Sequence, residues 1–277
     1  MSEFFHENFE ILKKLSNKRV NEFPIPVYCV GPQGTSKTTT IKQMAKEKNL
    51  RYGFLPCNGQ TSKSDIMGFT DAMGVKRESM FQDMYVNGGL FVFEEIDAVH
   101  ADTIVVVNTM IDSDEASFNN EMFKRHKDFH IYATANTYSG ANDSFTARKQ
   151  LDQSTLERFA KVEFQVDLEL EKNIFGIDAY LMIQKIRIEL LNQEYFSTRQ
   201  AKMFLAMREL GLISALKSTA LRNSTSTPNI KIIKDVFKEY LKSDRDISNY
   251  KVIDFDNILK YKNKIMEEIP ETLIKDY

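Results

Sequence analysis

The stretch Gly31-Pro32-Gln33-Gly34-Thr35-Ser36-Lys37-Thr38, directly preceded by the apolar run Ile25-Pro26-Val27-Tyr28-Cys29-Val30, decides the fold. A strand, a glycine turn and a Lys-Thr pair at a helix start make a cradle for nucleotide phosphates. Backbone N–H groups of the turn face the β-phosphate and the positive helix end adds to them. Lys37 reaches the β/γ oxygens, and the Thr38 hydroxyl can hold Mg²⁺. The expected ligands are ATP and Mg²⁺, and the expected contacts are Gly31, Pro32, Gln33, Gly34, Thr35, Ser36, Lys37, Thr38 and Thr39. One position departs from the usual G-x-x-x-x-G-K-[ST] pattern, because Ser36 stands where glycine precedes the lysine. Serine is expected to fit beside the phosphates without a positive φ. An ordinary βα turn rich in Gly and Thr is the competing reading, and the rest of the chain has to choose.

A length of 277 residues suggests about two domains, and a hydrophobic fraction of 42% is enough for a buried core in the larger one. The formal net charge of −2 offers no global basic field, so neither nucleic acid nor an anionic membrane is implied as a partner. The two cysteines, Cys29 and Cys57, lie in or beside expected strands with no CxxC or Cys/His cluster, and read as small core residues in a reducing cytoplasm. The N-terminal MSEFFHENFE is acidic where a signal peptide is basic, and no apolar run approaches the ~20 residues of a membrane span. A cytoplasmic protein, bacterial or from a phage-infected cell, is the expectation. His6, His100, His126 and His130 have spacings that match no metal or catalytic motif and are assigned structural or exposed roles.

Apolar spacing predicts an amphipathic helix over residues 3–18, a helix from Thr38 to Lys48 after the cradle, and a second strand from Arg51 to Cys57. Ser62 to Gly89 looks like an insertion with a helix from Glu78 to Val86. The wholly apolar run Leu90-Phe91-Val92-Phe93 reads as a central parallel strand covered on both faces, and it ends in Glu94-Glu95-Ile96-Asp97. A helix from Thr103 to Ile111, a hairpin through Phe118 to Lys127, a strand from His130 to Ala135 and a fifth strand from Val162 to Val166 are expected next. Beyond about Asp167 the pattern is helical only: Ala179 to Leu191, Thr198 to Leu210, Ile213 to Leu221, Ile230 to Leu241 and Asp254 to Ile269. The expected architecture is α/β, a five-stranded parallel sheet flanked by helices over 1–166, followed by an all-α lid and helical extension over 167–277.

Hydrolysis of a γ-phosphate needs an anchored Mg²⁺, a carboxylate to orient water and positive charge on the equatorial oxygens. Glu94 and Glu95 end the third strand at the carboxyl edge of the sheet, where open α/β sheets bind ligands. One would serve the metal and the other would polarise water, although acids at a strand end also serve as solvated charges. Asn136, ending the next strand, can hydrogen-bond both the water and the γ-phosphate, or simply open a turn.

With these parts in order, the chain resembles AAA+ ATPases, a family of P-loop NTPases, in its MoxR-like and cobaltochelatase-small-subunit-like group, whose relatives include McrB and midasin. The resemblance runs from about Pro26 to Leu210. GPQGTSKT resembles that family's Walker A, and GGLFVFEEIDAVH resembles its GG-(apolar)₄-DEIDxA, with Glu94 in place of the usual Asp as metal ligand and Glu95 on the catalytic glutamate. SKSDIMGFTDAMGVKRESMF is similar to its helix-2 insertion, and KRHKDFHIYATANT to the strand that carries sensor 1, here Asn136. RKQLDQSTLERFAKVEF implies that Arg158 reaches a neighbouring subunit's γ-phosphate, with Arg148 a secondary candidate. A salt-bridged helix-end residue is the plainer alternative for Arg158. YFSTRQAKMFLAMREL implies that Arg199 is sensor 2, while Ser197-Thr198 could also simply cap the helix.

An arginine donated in trans implies a closed ring of identical subunits, a hexamer on the resemblance. The resemblance thus implies an ATP-hydrolysing ring motor that remodels or inserts into a partner, an unidentified client or an adaptor such as a von Willebrand A-domain protein. Two readings compete with it. One is a hydrolysis-weak, ATP-gated assembly or scaffold module, since Ser36 and Glu94 both touch the site. The other is a small phosphotransferase, which would need no arginine in trans.

Overall fold

A computed structural model describes residues 4–136, 151–190, 196–207, 215–216 and 218–219 of the chain. Five strands form the central sheet: β1 (Val27–Val30), β2 (Tyr52–Pro56), β3 (Gly89–Glu94), β4 (Phe129–Ala135) and β5 (Ala160–Glu163). Their order is β5-β1-β4-β3-β2, and every neighbouring pair is parallel. The apolar runs alternate sides. Val27, Cys29, Leu90, Val92 and Tyr132 join one core with α1 (Phe9–Leu15) and α2 (Lys37–Glu47). Tyr28, Val30, Phe91, Phe93, Phe129 and Ile131 join the other. Both faces are covered, and that is why strands such as β3 carry no polar alternation.

The second core is aromatic. Phe81, from α4 (Met80–Asn87), packs edge-on against Phe91 and Phe129 and stands near Phe93, Tyr85 and Phe118. A short α3 (Lys63–Met67) precedes α4, and α5 (Ala101–Asp112) follows β3. Two small hairpins project from this unit, Phe69–Thr70 with Lys76–Arg77 and Glu115–Phe118 with Glu121–Lys124. An ion pair between Lys76 and Glu121 joins them. The second hairpin lies a few residues earlier than the expected Phe118 to Lys127.

Two expected elements are corrected. The fifth strand is Ala160–Glu163, not Val162 to Val166, because its partner β1 runs only from Val27 to Val30 before turning into the cradle. The apolar alternation Val162, Phe164, Val166 outlasts the ladder available to it. The N-terminal helix is shorter than 3–18, since the chain ahead of it bonds to the exit of β5 instead. Asn8 Nδ2 donates to the Glu163 carbonyl at 2.8 Å, and the His6 ring is 3.1 Å from the Gln165 carbonyl. A third small pairing, Arg19–Val20 with Phe23–Pro24, was not anticipated.

The chain divides into compact units Met1–Asp167 and Leu168–Tyr277. In the second, α7 (Leu168–Phe175), α8 (Ile177–Leu190) and α9 (Thr198–Met207) follow the short α6 (Gln153–Leu156) of the first. Helix α7 is additional to the expected set. The helices expected over 213–221, 230–241 and 254–269 fall wholly or mostly outside the described residues. Among the described residues, no helix is long and apolar enough to cross a membrane.

Candidate nucleotide site

The glycine turn closes on itself. Lys37 is 6% exposed, and its Nζ donates to the carbonyls of Gly31 and Pro32, both at 2.8 Å. Thr35 Oγ1 donates to the same Pro32 carbonyl at 2.9 Å, and Thr40 Oγ1 to the Ser36 carbonyl at 2.9 Å. These bonds hold the loop's shape with its own groups, the preorganisation a phosphate cradle needs. Gly31 has no room for a side chain, because a Cβ there would lie 2.0 Å from the carbonyl oxygen of Phe164, the residue after β5. Thr38 is half-buried in the first turn of α2, whereas Gln33 and Thr39 are exposed and Pro32 and Gly34 half-buried.

Ser36 does not avoid a positive φ. It caps α2 at φ 67° and ψ 15°, in the left-handed region, and makes no capping hydrogen bond through its side chain. The turn geometry that glycine usually supplies is therefore kept, with the strain carried by a serine. Glu95 does the same at φ 59° and ψ 45°. Among described residues with positive φ that are neither Gly nor Asn, only Glu22 lies away from the site. Strain of this kind gathers where a side chain must be aimed.

Strand register brings the remaining parts together. Ala135 pairs with Val30 and Ala133 with Phe93, so Gly31, Glu94, Glu95 and Asn136 all leave the sheet at one carboxyl edge. Asn136 Nδ2 donates to Glu95 Oε1 at 3.0 Å, and the Glu95 N–H donates to Thr134 Oγ1 at 3.1 Å. The Glu94 carbonyl accepts from the Cys57 N–H at 2.8 Å, fixing the end of β3 to the end of β2. Burial, then the negative field of Asp97, Glu94, Glu95 and Asp65, pushes the Cys57 thiol up to about 12. An edge of that sign suits a divalent cation. Among the described residues no group of three or more His, Cys, Asp or Glu could hold a metal by itself. Thr38 and Glu94 offer hard oxygens, the donor type that Mg²⁺ takes.

Arg158 lies elsewhere. Ala160 pairs with Val27 at the start of β1, so Arg158 precedes β5 at the strand edge opposite the cradle. Its Nε donates to Asp112 Oδ2 at 2.8 Å, its Nη2 is 2.7 Å from the same oxygen, and its Nη1 donates to the Ser154 carbonyl. The ion pair raises the guanidinium's affinity for its proton. Arg148 lies outside the described residues. Arg199 is exposed in the first turn of α9, in the second unit.

Sequence reasoning missed Thr134, Asp112 and the Glu171 and Arg187 side chains that hold the turn into α9. Thr134 had a signal, a small hydroxyl between two alanines near the end of a fully buried strand. Asp112 had none, being one more acid at a helix end.

Residues 26–159, close to half of the chain, match the model of the AAA domain, dynein-related subfamily. Among solved structures the chain is similar to a candidate ATPase from Cytophaga hutchinsonii ATCC 33406, at 13% identity, 96% of this chain, 91% of that chain and a TM-score of 0.47. It is also similar to NtrX from Brucella abortus, at 8% identity, 78% of this chain, 49% of that chain and a TM-score of 0.48. For NtrX in complex with ADP the values are 9%, 70%, 43% and 0.44. The α/β unit thus has a P-loop AAA+ fold, and residues 26–159 within it match the AAA domain of the dynein-related subfamily.

Proposed function

We propose that this chain is an ATP-hydrolysing AAA+ motor subunit of the MoxR-like group that works as a ring, six-membered on the resemblance. The observation that carries the reading is the convergence of the Lys37 cradle, Glu95 and Asn136 at one sheet edge, with Asn136 bonded to Glu95 at 3.0 Å. Lys37 would neutralise β/γ oxygens, and Thr38 and Glu94 would hold Mg²⁺, which would supply positive charge to the phosphoryl oxygens. Glu95 orients and deprotonates the attacking water, held in its rotamer by Asn136 and in its backbone by Thr134. Arg158 stands at the wrong edge to serve its own chain's cradle, which supports its donation to a neighbour's. Arg199 belongs to the lid and contacts γ-phosphate in cis as the lid closes. A cation in the first turn of a helix opposes the macrodipole, so helix stability does not account for it.

ATP-driven lid closure, relayed through Arg158 and Arg199, would move the two linked hairpins against a client. They offer Met73, 88% exposed in the turn of the first, and Met122, 62% exposed on a strand of the second, as apolar contacts. The client is a protein or adaptor, candidates including a von Willebrand A-domain protein, and the setting is the cytoplasm. An ATPase assay at ring-forming protein concentration tests the reading. Turnover that rises more steeply than protein concentration supports it, and absence of hydrolysis by the wild-type chain overturns it.

A further inference from the structure

Glu171, in α7, is fully buried, yet its carboxylate accepts three hydrogen bonds. Arg187 of α8 supplies two through its fork, Nη1 at 2.6 Å and Nη2 at 2.7 Å, and Thr198 Oγ1 the third at 2.6 Å. Arg187 also donates its Nε–H to the Phe196 carbonyl at 2.9 Å. Three segments, α7, α8 and the turn that opens α9, therefore meet on one ion pair. Ser197 then caps α9: its Oγ accepts the Gln200 N–H at 3.2 Å, while Gln200 Oε1 accepts the Ser197 N–H at 2.9 Å.

A buried ion pair is a poor source of stability, since desolvation offsets most of the attraction and apolar residues of similar volume serve as well. What the pair supplies is direction. The bidentate fork fixes one plane, and the bonds to Phe196 and Thr198 pin the chain on both sides of Ser197. The next residue is Arg199, exposed and placed against the helix dipole. A costly bracket and an unfavourably placed cation, one residue apart, make sense together when the first aims the second.

We propose that Glu171 and Arg187 are positioning residues that set the direction of Arg199 for its γ-phosphate contact. The inference rests on the ATPase reading and on the role given there to Arg199. Glu171→Gln should lower kcat about tenfold while leaving the KM for ATP within about twofold, as expected of a misaimed rather than missing group. Arg187→Lys, which keeps the charge and loses the fork, should do the same, and it decides the matter if Glu171→Gln does not fold by circular dichroism. In an Arg199→Ala background neither change should reduce kcat further. Losses that multiply with that of Arg199→Ala overturn the proposal and leave the ATPase reading standing. Wild-type kcat in both bracket variants overturns it as well. Wild-type kcat in Arg199→Ala overturns the role of Arg199 first, and the bracket with it.

Discussion

Replacing Ser36 with glycine should stabilise this protein, although it deletes a side chain at the centre of its site. Ser36 sits at φ 67°, a region that costs a side-chain-bearing residue about 1–2 kcal/mol. Its hydroxyl makes no capping bond to α2, so nothing is lost by removing it. Glycine relieves the strain but gives the unfolded chain more freedom, a cost of about 0.5–1 kcal/mol. The difference favours Ser36→Gly by about 0.5–1 kcal/mol, or about 2–3 °C in Tm for a chain of this size. Ser36→Ala keeps the strained backbone and should fall within about 0.5 kcal/mol of wild type. Ser36→Val puts a β-branched residue at positive φ and should lose more than either. Urea titration followed by tyrosine fluorescence reads all three, the chain having no tryptophan. An order with alanine at or above glycine would refute the argument that left-handed strain is stored at this turn.

The remaining predictions concern chemistry and pH. Glu95→Gln keeps an oxygen for Asn136 to bond, so it should bind ATP as wild type does while turnover falls about 10²–10⁴-fold; equal loss of nucleotide affinity would remove Glu95 from its role. Glu94→Ala should raise the Mg²⁺ concentration for half-maximal turnover about tenfold, and Glu94→Asp should lower it below wild type; an unchanged Mg²⁺ titration in both contradicts the metal assignment. Burial, then the positive charges of Arg19 and Lys48, pushes His130 down to about 4, so between pH 6.5 and 4 the unfolded chain binds a proton that the folded one refuses. That stability is complete above pH 6.5 and is lost as pH falls, up to about 3 kcal/mol, and His130→Gln should flatten the acid limb of the urea midpoint; an unchanged limb assigns the acid sensitivity elsewhere.

Much of the sheet and its reacting edge could be read from residues because local pattern and tertiary role coincide there. Leu90 to Phe93 is continuous apolar sequence since both its faces are covered, and the acids after it are at an edge because a parallel strand must end where its neighbours do. The fifth strand was misplaced for the opposite reason: its limit is set by the length of β1, which nothing in Val162 to Val166 encodes. Ser36 misled because composition gives the residue and not the dihedral angle; the loop bonds from Lys37 and Thr35 hold the angle that serine alone would avoid. Pairings across long separations left no local trace. The ion pair of Arg158 is the plainer alternative the sequence offers for it, but its partner Asp112 looks like a solvated charge until the chain is folded, as do Glu171 and Arg187.

Mixing two inactive proteins tests the shared hydrolytic centre most directly. Lys37→Ala removes the cradle's cation, and Arg158→Ala removes the guanidinium held at the opposite strand edge. If each centre is built from two neighbouring chains, mixed rings contain some junctions with an intact lysine facing an intact arginine, and ATP turnover reappears on mixing. Turnover that stays at the level of the separate variants, in mixtures shown to co-assemble, would mean that each chain works alone.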